Sequence, residues 1–486
     1  MSDEDRIHDD EKKHLSWLEG CRREEAIRGL LKKRHGDKRL TIADVEEVAW
    51  ELGISRPTMY RMVVRIASLA LEHPEPLALA EHAAHRRGFD VALPANAGCR
   101  SMSAIAQHGE GDQEAIVIGA GPAGLACAAC LKEADVAVAI LEKADAVGAV
   151  WRRHYDCLHL HTDRGHSGLP GLAMPKTYPR FPARTQVVEY LEHYAETFDL
   201  RPCFGVNVEH AHRKDDAWCV ETSGRTLTAP NVIVATGFAD WPSRPHWPGE
   251  DRFDGDIRHS TAYRNPTPYA GKRVLVVGLG NSGGEIALDL AEAGVSVAVA
   301  VRGPVNIVPR DLLGFPIINV AILLRPLPPR VADALSTLIV YLSVGSLRRL
   351  GLRRGEAGPL ASIADSGRVP LLDFGTVAKI RDGTIAVRPD IRALDEGVVE
   401  FVDGRREAYD AILAATGFRP DLRALLPRAE GALRRSGMPR VSGGPTSEPG
   451  LYFCGLHMSP TGQLRDIAFE ARRIAEHISK RRWVAP

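Results

Sequence analysis

The sequence has no excess of charge of either sign: Lys plus Arg and Asp plus Glu each number 62 in 486 residues, and the formal net charge is zero. Nothing in that total suggests a basic nucleic-acid binder or an acidic scaffold, although local charge has to be read separately. Cysteine is scarce, with 8 residues at irregular spacing. That excludes a disulfide framework and points to a reducing cytoplasm. No uncharged apolar run reaches the roughly 18 residues that a spanning helix needs. The nearest, 331–345, is short and carries Asp333. The opening residues MSDEDRIHDDEKKH are acidic and polar where a signal peptide would be basic and then apolar. The expectation is a cytoplasmic protein without an integral membrane segment. Its 44% apolar and 26% charged residues are ample for folded domains.

Three composition regimes follow one another. Residues 1–72 are charged and helix-prone; residues 73–112 mix Pro, Ala, Gly and His without a period, as a linker does. From Gln113 onward, short Val/Ile/Ala runs alternate with amphipathic segments and glycine-rich turns, which is an α/β pattern. Within it, EAIVIGAGPAGLACAACL (114–131) is echoed by KRVLVVGLGNSGGEIALDL (272–290). Each reads as a buried strand, a Gly-x-Gly-x-x-Gly turn and a helix, so two Rossmann-like dinucleotide-binding domains are expected.

In the first turn, Gly119, Gly121 and Gly124 answer separate needs: a tight turn, close backbone approach to a pyrophosphate, and close helix–strand packing. The phosphates then meet the N–H groups at the start of the following helix. The next strand, 136–141, ends at Glu142, where an acid would accept hydrogen bonds from ribose hydroxyls. The second turn has Gly278, Gly280 and Gly283, with Asn281 and Ser282 between them, and its next strand, 295–301, ends at Arg302. A guanidinium there suits the 2′-phosphate of NADP, which a carboxylate would repel, so NADPH is expected over NADH. The plainer alternative makes Arg302 a solvated residue at a strand end. Two such cradles in one chain suggest, by fold-level analogy, a held flavin and a diffusible electron donor.

The segment FDGDIRHSTAY (253–263), with Phe253, Gly255, His259 and Tyr263, resembles the fingerprint of flavin-containing monooxygenases just upstream of their NADPH turn. Two Ala-Thr-Gly segments, at 235–237 and 415–417, end buried strands as that family's interdomain links do. The resemblance spans 113–478 and is most specific to the plant YUCCA-type indole-3-pyruvate monooxygenases. It rests there on YDCLHLHT (155–162), YPRFPARTQVVEYLEHYAETF (178–198), VPRDLLG (308–314), VPLLDFGTVAKIRDGTIAV (369–387) and GLYFCGL (450–456). Departures are Gly148-Ala149, where the family pairs two glycines before a tryptophan, and Arg264 after Tyr263. His161 stands where many members have an asparagine.

The resemblance implies FAD and NADPH as cofactors and O2 and a small molecule as substrates. In such enzymes NADPH reduces FAD, and O2 adds at flavin C4a to give a (hydro)peroxyflavin. A YUCCA-like member would oxidatively decarboxylate a 2-oxo acid; a general member would oxygenate a soft N or S atom. Carried over residue by residue, Gly119, Gly121, Gly124, Glu142, Trp151 and Arg152 would contact FAD. Gly278, Gly280, Asn281, Ser282, Gly283 and Arg302 would contact NADPH, and His161 is the candidate catalytic residue. His259 reads better as a structural hydrogen-bonder than as a proton-transfer group. The implied domains are 113–240 and 401–486 for FAD and 241–400 for NADPH, the latter with an apolar insertion. That insertion, 315–324 and 331–342 around a proline-rich break, would serve as a lid, a subunit contact of a homodimer or a membrane-leaning patch.

Cys127 and Cys130 form a C-x-x-C, as in the related flavin disulfide reductases, but they fall in the first helix, where small residues pack on the sheet. His154, His159, His161 and His166 have no metal-ligand spacing, and no metal is expected. Residues 43–66 fit a helix-turn-helix with Gly53 at the turn, Ser55 as cap and Pro57 in the next first turn, resembling that of transposases. Arg56, Tyr60 and Arg61 would then face DNA. Residues 1–72 carry 14 basic and 15 acidic side chains, so a plain helical bundle is the competing reading. A DNA-binding regulator with a flavin redox sensor is thus a second class of function.

Overall fold

A computed structural model describes residues 113–312, 315–324, 327–328, 330–334 and 344–482. All lie in one compact unit, Asn96–Pro486. The helix-turn-helix segment and the linker fall outside the described residues.

The chain enters as β1 (Ala115–Ile118), helix α1 (Pro122–Glu133) and β2 (Val138–Leu141). Helices α2 (Ala149–Arg153) and α3 (Arg184–Thr197) precede a meander of β3 (Val208–Lys214), β4 (Ala217–Thr222) and β5 (Thr226–Ala229), and then comes β6 (Asn231–Val234). Next are β7 (Asp256–His259), β8 (Arg273–Val277), helix α4 (Asn281–Glu292) and β9 (Ser296–Ala300). Strand β10 (Ile307–Pro309), the hairpin β11 (Asp311–Leu312) and β12 (Phe315–Pro316), and helices α5 (Ile317–Leu324) and α6 (Pro359–Ser366) follow. After β13 (Leu371–Asp373), α7 (Thr376–Arg381) and β14 (Ile385–Arg388) comes a second meander, β15 (Ile391–Asp395), β16 (Val398–Phe401) and β17 (Arg406–Ala408). Strands β18 (Ala411–Ala414) and β19 (Leu451–Phe453) and helix α8 (Gln463–Arg482) complete it.

Two parallel sheets result, ordered β19-β6-β1-β2 and β14-β9-β8-β18-β7. Their inner strands are apolar on both faces because both faces are covered. Ala115 and Val117 of β1 enter a core with α1 and α8, whereas Ile116 and Ile118 enter another with Trp218 and Val220 of the first meander. The second sheet repeats the arrangement. Val274 and Val276 meet Ile286 and Leu290 of α4, while Leu275 and Val277 meet Val399 and Phe401 of the second meander. The sequence echo is therefore a duplication of architecture. The chain leaves the first sheet after β6 and returns at β19. Strand β18 pairs with β7 and β8 in the second sheet.

Candidate functional site

Both glycine turns are built alike. Gly119 (φ +111°) and Gly278 (φ +100°) hold a left-handed backbone that a side chain would strain. A Cβ on Gly119 would come 2.7 Å from the Ala235 carbonyl oxygen, and one on Gly278 2.6 Å from that of Ala415, which ties each turn to an Ala-Thr-Gly segment. A Cβ on Gly124 would lie 1.8 Å from the Gly119 oxygen, and one on Gly283 2.1 Å from the Gly278 oxygen, so the helix start packs directly on the turn. Beyond Gly121 and Gly280 there is no heavy atom within 4 Å. These two positions face open space at the N-termini of α1 and α4, where a pyrophosphate would sit.

Glu142, at the tip of β2, accepts from the Ala120 N–H at 2.7 Å and the Ala144 N–H at 2.9 Å, which aims its carboxylate beside the first turn. A cavity of about 810 Å³ runs from there past Gly119, Trp151, His161 and Thr236 to Ile318, Leu360 and Leu372. The buried Thr236 hydroxyl has no hydrogen-bond partner, whereas its counterpart Thr416 donates to the Ser243 carbonyl. An orphaned buried hydroxyl, an open glycine cradle and a carboxylate beside the turn fit a flavin dinucleotide here. Arg152 does not line this cavity. Its guanidinium turns to the Val147 carbonyl and Glu192, and the neighbouring Arg153 lines the cavity instead. Arg302 is exposed just beyond β9, and among the described residues no carboxylate pairs with it. Asn281 lends its Oδ1 to the Leu372 N–H at 2.8 Å.

The apolar insertion forms the far wall. Ile317, Ile318, Ala321 and Leu324 of α5 line the cavity, while Leu323 is 77% exposed. The buried Asp333 latches the insertion to α6, accepting from the Leu360 and Ala361 N–H groups at 2.9 and 2.8 Å. Segment 369–376 joins this wall to α4. Leu371 presses on Gly284, where a Cβ would come within 2.6 Å, and the Thr376 hydroxyl donates to the Gly284 carbonyl at 3.0 Å. Phe374 then sets its ring 5.3 Å from that of His161.

A polar network lies between α4 and the 155–161 segment. His161 Nε2 is 2.5 Å from Glu285 Oε1, and the Tyr155 hydroxyl donates to Glu285 Oε2 at 3.1 Å. Burial and the neighbouring Glu285 push the Tyr155 phenol well above its usual range, so it stays protonated. Burial lowers His154 from its ordinary value, although Glu285 opposes this. In the fingerprint, Tyr263 donates to Asp289 at 2.6 Å. His259 takes the Thr261 N–H on Nδ1 and donates from Nε2 to the Gly417 carbonyl at 3.1 Å, fixing the second Ala-Thr-Gly turn. Glu285, Phe374 and Thr236 are the site residues that sequence reasoning missed. A buried acid two residues past the third glycine of the second motif is the one signal that could have exposed the first.

Cys127 and Cys130 are buried inside α1, and desolvation pushes the Cys130 thiol up to about 12. A thiol so disposed packs and does not exchange. Among the described residues there is no group of His, Cys, Asp or Glu able to hold a metal, and no helix long and apolar enough to cross a membrane.

Two linked parallel sheets, a glycine turn at a helix N-terminus in each, and a cavity with an apolar far wall fit the class of flavoprotein oxidoreductases that use a nicotinamide nucleotide. Residues 116–310 match the family described as pyridine nucleotide-disulphide oxidoreductase. Indole-3-pyruvate monooxygenase YUCCA6 of Arabidopsis thaliana is 37% identical over 377 residues, 75% of this chain and 90% of that protein. Indole-3-pyruvate monooxygenase YUCCA4 of Oryza sativa subsp. japonica is 37% identical over 386 residues, 76% of this chain and 87% of its own. Among solved structures, a flavin-containing monooxygenase from Stenotrophomonas maltophilia shares the fold at a TM-score of 0.58 and 23% identity, covering 76% of this chain and 99% of that one. The chain belongs to the flavin-containing monooxygenase family. It is a monooxygenase whose cofactors are FAD and NADPH.

Proposed function

We propose that this enzyme oxidatively decarboxylates an aromatic 2-oxo acid of the indole-3-pyruvate type. The overall reaction balances as 2-oxo acid, O2, NADPH and a proton giving the carboxylic acid one carbon shorter, CO2, water and NADP+. The observation that carries the reading is the near full-length likeness to two indole-3-pyruvate monooxygenases, each 37% identical. The cavity agrees with it. Its far half is lined by Ile318, Leu360, Ile363 and Leu372, which suits an aromatic body.

Gly119, Gly121, Glu142, Trp151 and Thr236 would hold FAD, with Gly124 packing the turn beneath it. Gly278, Gly280, Asn281, Ser282, Gly283 and Arg302 would hold NADPH, with Arg302 on the 2′-phosphate. Bound FAD, reduced by NADPH, supplies oxygen activation at its C4a carbon. The chain's own part is to keep water out with the α5 and α6 wall, to orient the substrate, and to set the His161 ring at the reacting end, where it can accept and return a hydrogen. The residues dividing between the two nucleotides are read as 113–240 with the end of the chain from 415 for FAD, and 241–414 for NADPH.

The test is reduction of the flavin by NADPH without oxygen, then addition of O2 with indole-3-pyruvate, phenylpyruvate or a tertiary amine, and product masses. A shortened acid with released CO2 supports the reading. An N-oxide with no shortened acid would replace it with the soft-nucleophile chemistry of the wider family.

A further inference from the structure

We propose that Glu285 is the positioning residue for His161. It anchors the imidazole through Nε2 and thereby leaves Nδ1 as the nitrogen that serves the cavity. The proposal rests on the reading above, in which His161 meets the substrate.

Glu285 sits on the buried face of α4, between Gly284 and Ile286, with 7% of its side chain exposed. A carboxylate taken out of water there costs several kcal/mol unless it is paired and hydrogen-bonded. Each of its oxygens is used once, Oε1 by His161 Nε2 at 2.5 Å and Oε2 by the Tyr155 hydroxyl at 3.1 Å. Among the described residues, His161 is the sole basic group within ion-pair distance. An apolar side chain would pack α4 as well without that penalty, so the acid is explained by what it holds.

What it holds is an imidazole a quarter exposed, facing the cavity. Phe374 braces the ring from the other side at 5.3 Å and 52°. The helix that carries the acid is braced at Gly284, on which both Leu371 and Thr376 bear. Among the described residues Nδ1 has no partner. The hydrogen bond at one imidazole nitrogen decides which tautomer the other presents. With the proton on Nε2 and directed at Glu285, Nδ1 offers a lone pair. When Nδ1 takes up a proton, Glu285 balances the imidazolium charge, so one nitrogen can both accept and return a hydrogen. The anchor belongs to the nicotinamide-side helix and the ring to the flavin-side segment, so the geometry is set only when both halves are in register.

The full-length chain, labelled with ¹⁵N-histidine, tests this through long-range ¹H–¹⁵N spectra of His161, assigned by His161→Asn. A ring protonated at Nε2 alone, or at both nitrogens, supports the proposal; a proton on Nδ1 alone overturns it, with or without flavin. Glu285→Leu should mix the tautomers and lower product formed per NADPH oxidised at least ~10-fold, with peroxide making up the difference. FAD content and the KM for NADPH should stay as they were. If Glu285→Leu keeps the wild-type tautomer and yield, Glu285 is only structural. If Glu285→Leu does not fold, the wild-type spectrum decides alone. Full product yield from His161→Asn, beside an Nε2–H ring in the wild type, would instead sink the role given to His161 and leave the anchoring intact.

Discussion

Thr236 and Thr416 occupy equivalent places in the two Ala-Thr-Gly segments, yet one hydroxyl is satisfied by Ser243 and the other is buried without a partner. A buried unpaired hydroxyl is tolerated when a ligand completes it. Thr236→Val should therefore leave the flavin-free protein as stable as before or slightly more so, while weakening FAD by about tenfold, roughly the 1.4 kcal/mol of one hydrogen bond. Flavin fluorescence titration reads the affinity and thermal unfolding the stability; an unaltered FAD affinity would place the hydroxyl away from the ligand. At this scale Trp151 came only from the family resemblance, while the two glycine turns and Glu142 were legible in the sequence as a strand-turn-helix pattern, because their spacing is fixed by the chain itself. Thr236 and Glu285 were not, since their meaning comes from partners 124 residues away or more, as for His161 and Glu285, or from a partner's absence. Arg152 shows the converse: adjacency in sequence to Trp151 did not carry its side chain to the same side.

Helix α8 closes the first sheet, and its buried Glu470 collects the Gly455 N–H at 2.7 Å, the Ser442 hydroxyl at 2.9 Å and His457 Nδ1 at 3.0 Å. The Glu470 hydrogen bond, helped by Asp466, raises His457 from its ordinary 6.5. A histidine raised on folding adds stability that is fully present below its unfolded value and fades as pH rises through the folded one. Because the side chain is 46% exposed, screening keeps the contribution small. His457→Gln should thus lower the unfolding midpoint near pH 5.5, with the gap from wild type closing above the raised value; a gap equal at all pH would contradict the pairing. Segment 369–376 was legible as a family block, but its work was not. Only the packing shows that Leu371, Asn281, Thr376 and Phe374 lock α4 and turn a wall toward His161. The insertion was legible as apolar, and of its described residues α5 (Ile317–Leu324) faces the cavity. Its place against the cavity needed long-range contacts that periodicity does not encode.

The molecule repeats one plan twice: parallel sheet, helix on one face, three-stranded meander on the other. The sheet and its helix could be read from the echoed glycine motifs; the meander on the other face could not. The strand order could not, because β18 and β19 join different sheets although both are short apolar runs near the end of the chain. A protein ending between β18 and β19 would keep all five strands of the nicotinamide-side sheet but lose β19, α8 and the cavity residues Gly455, Gln463, Leu464 and Ile467. It should still retain 2′,5′-ADP on an affinity column while emerging colourless, and flavin copurifying with it would show that the last segment is dispensable.

In chain order, the sheet that carries the first glycine turn is interrupted after β6 and completed by β19, with the second sheet inserted between. The first glycine turn precedes the whole of that second sheet, and its own edge strand, β19, comes only after it. FAD is therefore expected to load only once β19 and α8 have joined the first sheet, and the yellow colour of the protein would report that this sheet has its edge strand in place.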